Sequence, residues 1–208
     1  MITFNEDDQS FYLESNDTSY IFYINEYNHL EHLYYGPKVE RFKNIEDIRL
    51  KYQFELGSST SYSKDAKGYM LNQTLLEFST YGKGDYREPT LHIELASGSR
   101  TLDFTYDAHQ IIKDLSFKGL PQASKNETLE IKCSDKENNV SVYLYYTVIK
   151  EHNIIVRNLK VVNDGEGTIT LDKALSVNLD MLNKDYILSK LDGAWIRERH
   201  INDHPLTN

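Results

Sequence analysis

The sequence predicts an all-β fold, a large antiparallel β-sandwich with few short helices. Three observations lead to this prediction. Apolar and polar residues alternate with a period of two through most of the chain, as in strands with one buried face. Glycine, proline, asparagine and aspartate interrupt these runs at short intervals, as turns between antiparallel strands require. The 208 residues also include 16 tyrosines, a residue type that is common on half-buried sheets.

The N-terminal part of the chain predicts three strands, over residues 11–13, 19–24 and 30–35. Gly36 and Pro37 end the third strand, because proline cannot donate a hydrogen bond to a ladder. Residues 38–67 are polar and weakly periodic, so we expect a long irregular excursion, with at most a turn or two of helix over 46–54. Excursions longer than about 12–15 residues are usually functional or disordered, which makes this one a candidate for contacts outside the domain.

Regular structure resumes near Leu71, and the later predicted strands span residues 90–95, 101–106, 128–133, 140–146, 154–162, 168–171 and 171–182. Ser97-Gly98 predicts a hairpin between the first two of these strands, and the next two predict a second hairpin. Ten or more strands without an interior linker indicate a single domain over residues 1–208. We expect this domain to be the N-terminal part of a longer protein, because no compact element closes the sequence.

Charge and cysteine content exclude several kinds of partner and compartment. The net charge of −9 argues against nucleic acid and against an anionic membrane, since both need a basic surface. No apolar run approaches the roughly 20 residues of a membrane span, and the acidic N-terminus does not resemble a signal peptide. Cys133 is the only cysteine, which favours a reducing compartment such as the cytoplasm, and alternation places it on the buried face of Leu129 and Ile131.

Motifs for metal, nucleotide or serine-hydrolase chemistry are missing from the sequence. His29 and His32 are the closest histidines, and they would lie on opposite faces of a strand, so no metal site is expected. Gly82-Lys83-Gly84 lacks the spacing of a phosphate-binding loop. No Gly-x-Ser-x-Gly elbow is present, and we expect no cofactor.

Paired carboxylates are the remaining candidates for catalysis. Glu77, Asp85 and Glu88 lie in one short segment, and a glycosidase needs two carboxyl groups about 5–9.5 Å apart. We interpret Asp85 and Arg87 as a structural pair beside a glycine turn. The sequence therefore predicts no catalytic residue within this chain.

The stretch from Leu191 to Arg199 contains the only tryptophan, Trp195. On an extended backbone Trp195, Arg197 and Arg199 would share one face. A flat ring beside two guanidinium groups suits a sugar or another chain. Taken alone, the alternative that Trp195 fills a core stays open, because most tryptophans are largely buried.

Six motifs occur in a fixed order along the chain. They are Leu33-Tyr34-Tyr35-Gly36, Glu77-Phe78-Ser79-Thr80-Tyr81-Gly82-x-Gly84-Asp85-Tyr86-Arg87-x-Pro89, Gly119-Leu120-Pro121, Glu127-Thr128-Leu129-Glu130-Ile131, Val156-Arg157-Asn158 and Gly193-Ala194-Trp195-x-Arg197-Glu198-Arg199. Together the motifs resemble the N-terminal domain of the bacterial α-galactosidases of glycoside hydrolase family 36.

The resemblance implies a supersandwich of the galactose-mutarotase type that precedes a catalytic TIM barrel. It implies retaining hydrolysis of terminal α-D-galactosides, such as melibiose and raffinose-type oligosaccharides, by two aspartates on that barrel. This chain lacks the barrel, so we expect it to be inactive alone. The resemblance also implies a homo-oligomer, commonly a tetramer, and a substrate pocket to which the sandwich contributes.

Three residues correspond to pocket contacts that the resemblance implies. Trp195 matches the tryptophan that lines the pocket. Lys51 aligns with an aspartate that contacts substrate in some members of the family, and Asp47 is close enough in sequence to replace that aspartate.

Two other functions stay open at this point. The chain could be a stand-alone carbohydrate-binding or assembly module that uses Trp195 and the tyrosines as a stacking platform. It could also be a small enzyme of mutarotase type, which needs a general acid and base. The candidates for that chemistry are His92 with Glu94 or His109.

Overall fold

The computed structural model describes residues 1–51, 60–119, 126–181 and 185–206. The strands in this part of the chain are β1 (Ile2–Asn5), β2 (Ser10–Glu14), β3 (Thr18–Ile24), β4 (Leu30–Pro37), β5 (Leu91–Glu94), β6 (Thr105–Lys113), β7 (Glu127–Asp135), β8 (Val140–Ile149), β9 (Ile154–Asn163), β10 (Thr170–Ala174), β11 (Ile187–Ala194) and β12 (Arg197–Pro205). Short 3₁₀ turns lie at Ile45–Asp47, Leu71–Gln73 and Lys150–His152. The predicted all-β class is confirmed.

Two four-stranded antiparallel sheets form the body of the fold, with strand orders β1-β2-β3-β4 and β6-β7-β8-β9. Successive side chains of a strand point to opposite faces, so each sheet presents one apolar face to a shared core. Phe11 and Phe22 of the first sheet and Ile131 and Tyr146 of the second are fully buried in that core. The sandwich and the predicted hairpin between β7 and β8 are therefore confirmed.

Cys133 lies in the same core, on the face that alternation predicts for it. Burial raises the pKa of its thiol well above the ordinary value, with a smaller contribution from Asp107. The side chain is therefore a neutral, apolar part of the packing and not a nucleophile.

The predicted hairpin between residues 90–95 and 101–106 is wrong. β5 pairs with β10, whereas β6 pairs with β7. The turn at Gly98 does form, with its amide donating to the Leu95 carbonyl at 2.8 Å. Leu91 and Ile93 are fully buried against both sheets, so burial in the core has decided the pairing over the local turn.

Two more predictions concern irregular segments. The strand expected over 171–182 ends at Ala174, and 175–181 form no strand, while Leu182 lies outside the described residues. In the excursion over 38–67, the described residues contain only the 3₁₀ turn Ile45–Asp47, which confirms its irregularity. As far as residue 51, the helix expected over 46–54 is limited to that turn, and residues 52–54 lie outside the described residues. None of the helices in the described residues is long and apolar enough to cross a membrane.

Burial in the core sets the cost of truncating a strand residue. We expect Ile131→Ala to lower the free energy of unfolding by about 2–5 kcal/mol, because it removes buried methyl groups and leaves a cavity. Ile111 of β6 is 42% exposed, and we expect Ile111→Ala to cost about 0.5 kcal/mol or less. Urea unfolding of both variants checks this, and equal losses would contradict the assignment of the core.

Candidate functional site

β11 and β12 form a two-stranded hairpin with Trp195 and Ile196 at its tip. The ladder runs from Ile187 opposite Pro205 to Ala194 opposite Arg197. This two-residue connection sets the Trp195 side chain beyond the ladder, where it is 89% exposed. The sole tryptophan is therefore presented to solvent in this domain.

The turn overturns two interpretations of the sequence around Trp195. Trp195, Arg197 and Arg199 do not share one face of an extended strand, because Trp195 lies in the turn and Arg199 has a φ of +63° where the register shifts. A shift of this kind breaks the alternation of side chains. The core interpretation is also wrong for this domain, since the Trp195 side chain has no hydrogen-bond or ring partner among the described residues.

One face of this hairpin is apolar and exposed. Leu191 lies opposite Ile201, and these side chains are 67% and 71% exposed. Ile187, which is 62% exposed, extends the apolar face toward the base of the hairpin. Contiguous exposed apolar surface marks an interaction site, and a lone two-stranded hairpin is only marginally stable in water. The hairpin is therefore a candidate contact surface for another domain or chain.

Asp47 and Lys51 are four residues apart on the excursion and far from this tip in sequence. Asp47 ends the 3₁₀ turn and is exposed. Lys51 donates from Nζ to the Glu46 carbonyl at 2.9 Å and lines a cavity of about 310 Å³ with Tyr27 and Tyr69. In the described residues, no side-chain contact joins Trp195 to either of them.

A buried polar cluster between the sheets was not predicted as a unit from the sequence. Glu77 is fully buried, and its carboxylate accepts hydrogen bonds from Tyr20 Oη at 2.8 Å and Tyr146 Oη at 2.9 Å. His32 Nδ1 lies 2.8 Å from Glu77 Oε1, and Arg157 Nη1 lies 3.2 Å from Oε2. These partners come from β3, β8, β4 and β9, so a single carboxylate ties both sheets together.

Electrostatics keep Glu77 ionised. Burial alone would raise the pKa of its carboxyl group, but the Arg157 guanidinium and the hydrogen bonds from His32 and Tyr20 outweigh burial and lower the pKa. Arg157 is held in turn by the Asn178 carbonyl at 3.0 Å. Because Glu77 has no exposed surface, it cannot reach a substrate, and its role is structural.

The other carboxylates of this segment are also paired. Asp85 is buried and binds Arg87 through two contacts of 2.8 and 2.9 Å. Glu88 forms an ion pair with Lys173. The interpretation of Asp85 and Arg87 as a structural pair beside a glycine turn is confirmed.

One sequence signal could have found the Glu77 cluster. Arg157 is two residues from both Ile155 and Leu159, which pack against the core. Alternation therefore puts an arginine on a core-facing position of β9. A charge at such a position is seldom buried without a partner, which points to an acid on a facing element.

The residues considered for mutarotase chemistry are engaged separately. Glu94 of β5 pairs with Arg100 at 2.6 Å. His109 of β6 hydrogen-bonds to Tyr106 and packs against Phe4, and burial lowers its pKa. His92 and Glu94 share the less buried face of β5, but Glu94 is held by Arg100 and the His92 ring lies against Tyr81. In the described residues no hydrogen bond joins either histidine to Glu94. In the described part of the chain no three His, Cys, Asp or Glu residues are grouped to hold a metal ion.

We expect Glu77→Gln to lower the free energy of unfolding by about 3–5 kcal/mol at pH 7, because it leaves the buried Arg157 charge without a counter-charge. Glu46→Gln is the matched control, since Glu46 pairs with Arg49 at the surface, and it should cost about 1 kcal/mol or less. Urea unfolding gives both values, and similar losses in the two variants would argue against the cluster.

The pH dependence of stability should separate Glu77 from a second buried acid, Glu31. Burial raises the pKa of Glu31, although it accepts hydrogen bonds from Tyr23 and Asn25. Stability from a raised pKa is present below the unfolded value of 4.5 and is lost as pH rises through the folded value. Stability from the lowered pKa of Glu77 is present above 4.5 and is lost as pH falls through the folded value.

We therefore expect opposite changes in the two variants. Glu31→Gln should remove part of the stability loss that the unchanged protein shows as pH rises above 4.5. Glu77→Gln should remove part of the loss that appears as pH falls below 4.5. Urea unfolding across an acid-to-neutral pH series measures both, and parallel curves for the two variants would contradict these assignments.

Comparison with known proteins matches this chain to one family over most of its length. The family described as "Glycosyl hydrolase family 36 N-terminal domain" matches residues 28–208. The α-galactosidase AgaA of Geobacillus stearothermophilus is 30% identical over 99% of this chain and 28% of its own length. The bifunctional α-galactosidase/sucrose kinase AgaSK of Mediterraneibacter gnavus is 29% identical over 99% of this chain and 22% of its own length.

Solved structures agree with these sequence matches. The family 36 α-galactosidase AgaB from G. stearothermophilus superposes with a TM-score of 0.90 at 30% identity, over the whole chain and 28% of that enzyme. A variant of AgaA in complex with raffinose superposes with a TM-score of 0.87 at 30% identity, over 95% of this chain. The chain thus spans less than a third of the enzymes it matches. It belongs to the N-terminal domain family of the family 36 glycoside hydrolases.

Proposed function

We propose that this chain is the N-terminal sandwich domain of an α-galactosidase that hydrolyses terminal non-reducing α-D-galactosides, such as melibiose and raffinose-type oligosaccharides. The observation that carries the proposal is the match of nearly the whole chain to α-galactosidases at about 30% identity. The catalytic TIM barrel lies outside residues 1–208 of this single domain, so the chain alone is inactive.

An activity assay on two proteins tests this proposal. The full product of the gene should release p-nitrophenol from p-nitrophenyl α-D-galactoside with retention of configuration. The 208-residue chain should leave the same substrate unchanged. A full-length product that does not cleave α-galactosides would contradict the proposal.

The domain contributes contacts to the substrate and to other parts of the enzyme, and Trp195 forms part of the wall of the substrate pocket. Its 89% exposure at a hairpin tip supports this role, because an exposed indole can stack on the apolar face of a sugar. Asp47 and Lys51, both exposed on the excursion, are further candidates for substrate contacts. The apolar hairpin face of Leu191 and Ile201 supports docking against the barrel or another subunit of a homo-oligomer. The unpaired Cys133 is consistent with a cytoplasmic enzyme.

We expect Trp195→Ala to raise KM for raffinose in the full-length enzyme, because the stacking surface is lost. Stacking of an aromatic ring is worth about 0.5–1.5 kcal/mol, which corresponds to roughly 2–10-fold in binding. Trp195→Phe is the matched control and should retain most of the affinity. In the 208-residue chain, Trp195→Ala should change the free energy of unfolding by about 0.5 kcal/mol or less. Unfolding of that variant would contradict a role in the pocket.

A stand-alone carbohydrate-binding module is the second candidate function. Exposed aromatic side chains favour it, because Tyr86 is 65% exposed and lies 5.4 Å from the ring of Tyr81, in addition to the exposed Trp195. This alternative requires the 208-residue chain to bind raffinose at Trp195. A raffinose titration that leaves the fluorescence of Trp195 unchanged would rule out the stand-alone carbohydrate-binding module.

A further inference from the structure

A small cavity at the edge of the first sheet lies against the His32–Glu77 pair. It has a volume of about 120 Å³, and its lining includes His32, Tyr34, Tyr35, Asp180 and Tyr186. His32 is only 6% exposed, so its ring is fixed in the wall of this cavity and is not mobile at the surface. The buried cluster is therefore open to a ligand at one point.

The hydrogen bond to Glu77 determines which nitrogen of His32 is free. Glu77 is ionised, and a carboxylate only accepts hydrogen bonds. His32 Nδ1 therefore carries a proton and donates it to Glu77 Oε1 at 2.8 Å. Nε2 has no hydrogen-bond partner among the described residues. Tyr12 Oη is the only buried side-chain nitrogen or oxygen without a hydrogen-bond partner among the described residues. His32 Nε2 is therefore reached by solvent from the cavity, and a ligand hydroxyl group can replace the water there.

The other polar groups of the cavity are also oriented by fixed contacts. Asp180 lies 3.4 Å from Arg87 Nη1 and is partly buried, and burial raises the pKa of its carboxyl group. Tyr34 donates its hydroxyl proton to the Pro37 carbonyl at 2.7 Å, so that hydroxyl can still accept a hydrogen bond. Tyr35 and Tyr186 add aromatic rings that are 50% and 36% exposed.

This set of groups selects a neutral ligand with several hydroxyl groups. Asp180 would repel an anion, and the described lining supplies one histidine and one carboxylate, which are too few for a protein metal site. A hydroxyl group both donates and accepts, so it can bond to Nε2 in either protonation state of the ring. Tyrosine rings provide the apolar surface on which the C–H face of a sugar packs.

We propose that this cavity is a sugar site, in which one hydroxyl group of a single sugar ring bonds to His32 Nε2 and another bonds to the Asp180 carboxylate. The cavity is below the roughly 300–1,000 Å³ of pockets for drug-sized ligands, which limits the ligand to about one ring. The inference goes beyond the proposed function, because it assigns a ligand to a cavity whose described lining belongs to this domain.

The test follows the side-chain nitrogen signals of His32 in the ¹⁵N-labelled 208-residue chain by long-range ¹H–¹⁵N correlation. His32→Gln assigns the signals by their loss. We expect D-galactose to shift the Nε2 signal of His32 in a saturable way, with a Kd in the millimolar range. Asp180→Asn should weaken this binding about tenfold, because a hydrogen bond to a charged group is lost. Asp172→Asn, at an exposed acid near Arg100, should leave it unchanged.

Three outcomes would overturn the proposal. The first is a His32 Nε2 signal that does not respond to galactose. The second is a response to inorganic phosphate or zinc ions without a response to galactose. The third is equal binding by the Asp180→Asn variant and the unchanged chain. None of these outcomes affects the α-galactosidase assay or the role of Trp195, so failure of this site and failure of the proposed function can be distinguished.

Discussion

The ion pair between Glu77 and Arg157 is the interaction on which the rest of the structure depends. Both groups are removed from water, at a cost of several kcal/mol for each ion. Their mutual attraction offsets that cost only because hydroxyl, imidazole and carbonyl groups satisfy the remaining hydrogen bonds. These partners come from strands of both sheets and from two connecting segments. The pair therefore fixes how the two sheets pack, in a way that apolar side chains alone would not specify.

Because these buried contacts hold the two sheets together, the elements outside the core remain available for contacts with other domains or chains. Within the part of the chain that the structure describes, the hairpin of β11 and β12 contributes no residue to the apolar core, and its tryptophan and apolar face are exposed. The excursion that carries Asp47 and Lys51 is likewise at the surface. These exposed surfaces are the ones that the proposed contacts with a catalytic barrel or another subunit would use. The hydrogen bond to Glu77 also orients His32, so an imidazole ring that belongs to the buried cluster lines a cavity at the same time.

Most strands could be predicted from the sequence. In β7 apolar and polar residues alternate over Thr128–Cys133. β2, β3 and β8 are buried at nearly every position, and their runs of aromatic and β-branched residues are typical of strands. The pairing of strands that are far apart in the sequence could not be predicted. Ser97-Gly98 forms the turn that a hairpin would need, yet β5 pairs with β10 because Leu91 and Ile93 are buried in the core. Around Trp195, alternation fails since a turn and a register shift interrupt it. The Glu77 cluster joins residues up to 137 positions apart, and only Arg157 on a core-facing position hints at it.

A double-mutant cycle on Glu77 and Arg157 tests the central claim most directly. Urea unfolding of Glu77→Gln, Arg157→Met and the double variant gives the coupling energy between the two side chains. We expect the double variant to lose much less stability than the sum of the single losses, with a coupling of about 1.5–3 kcal/mol, as for residues within one ion-pair network. Additive losses would contradict the claim that this pair fixes the packing of the two sheets.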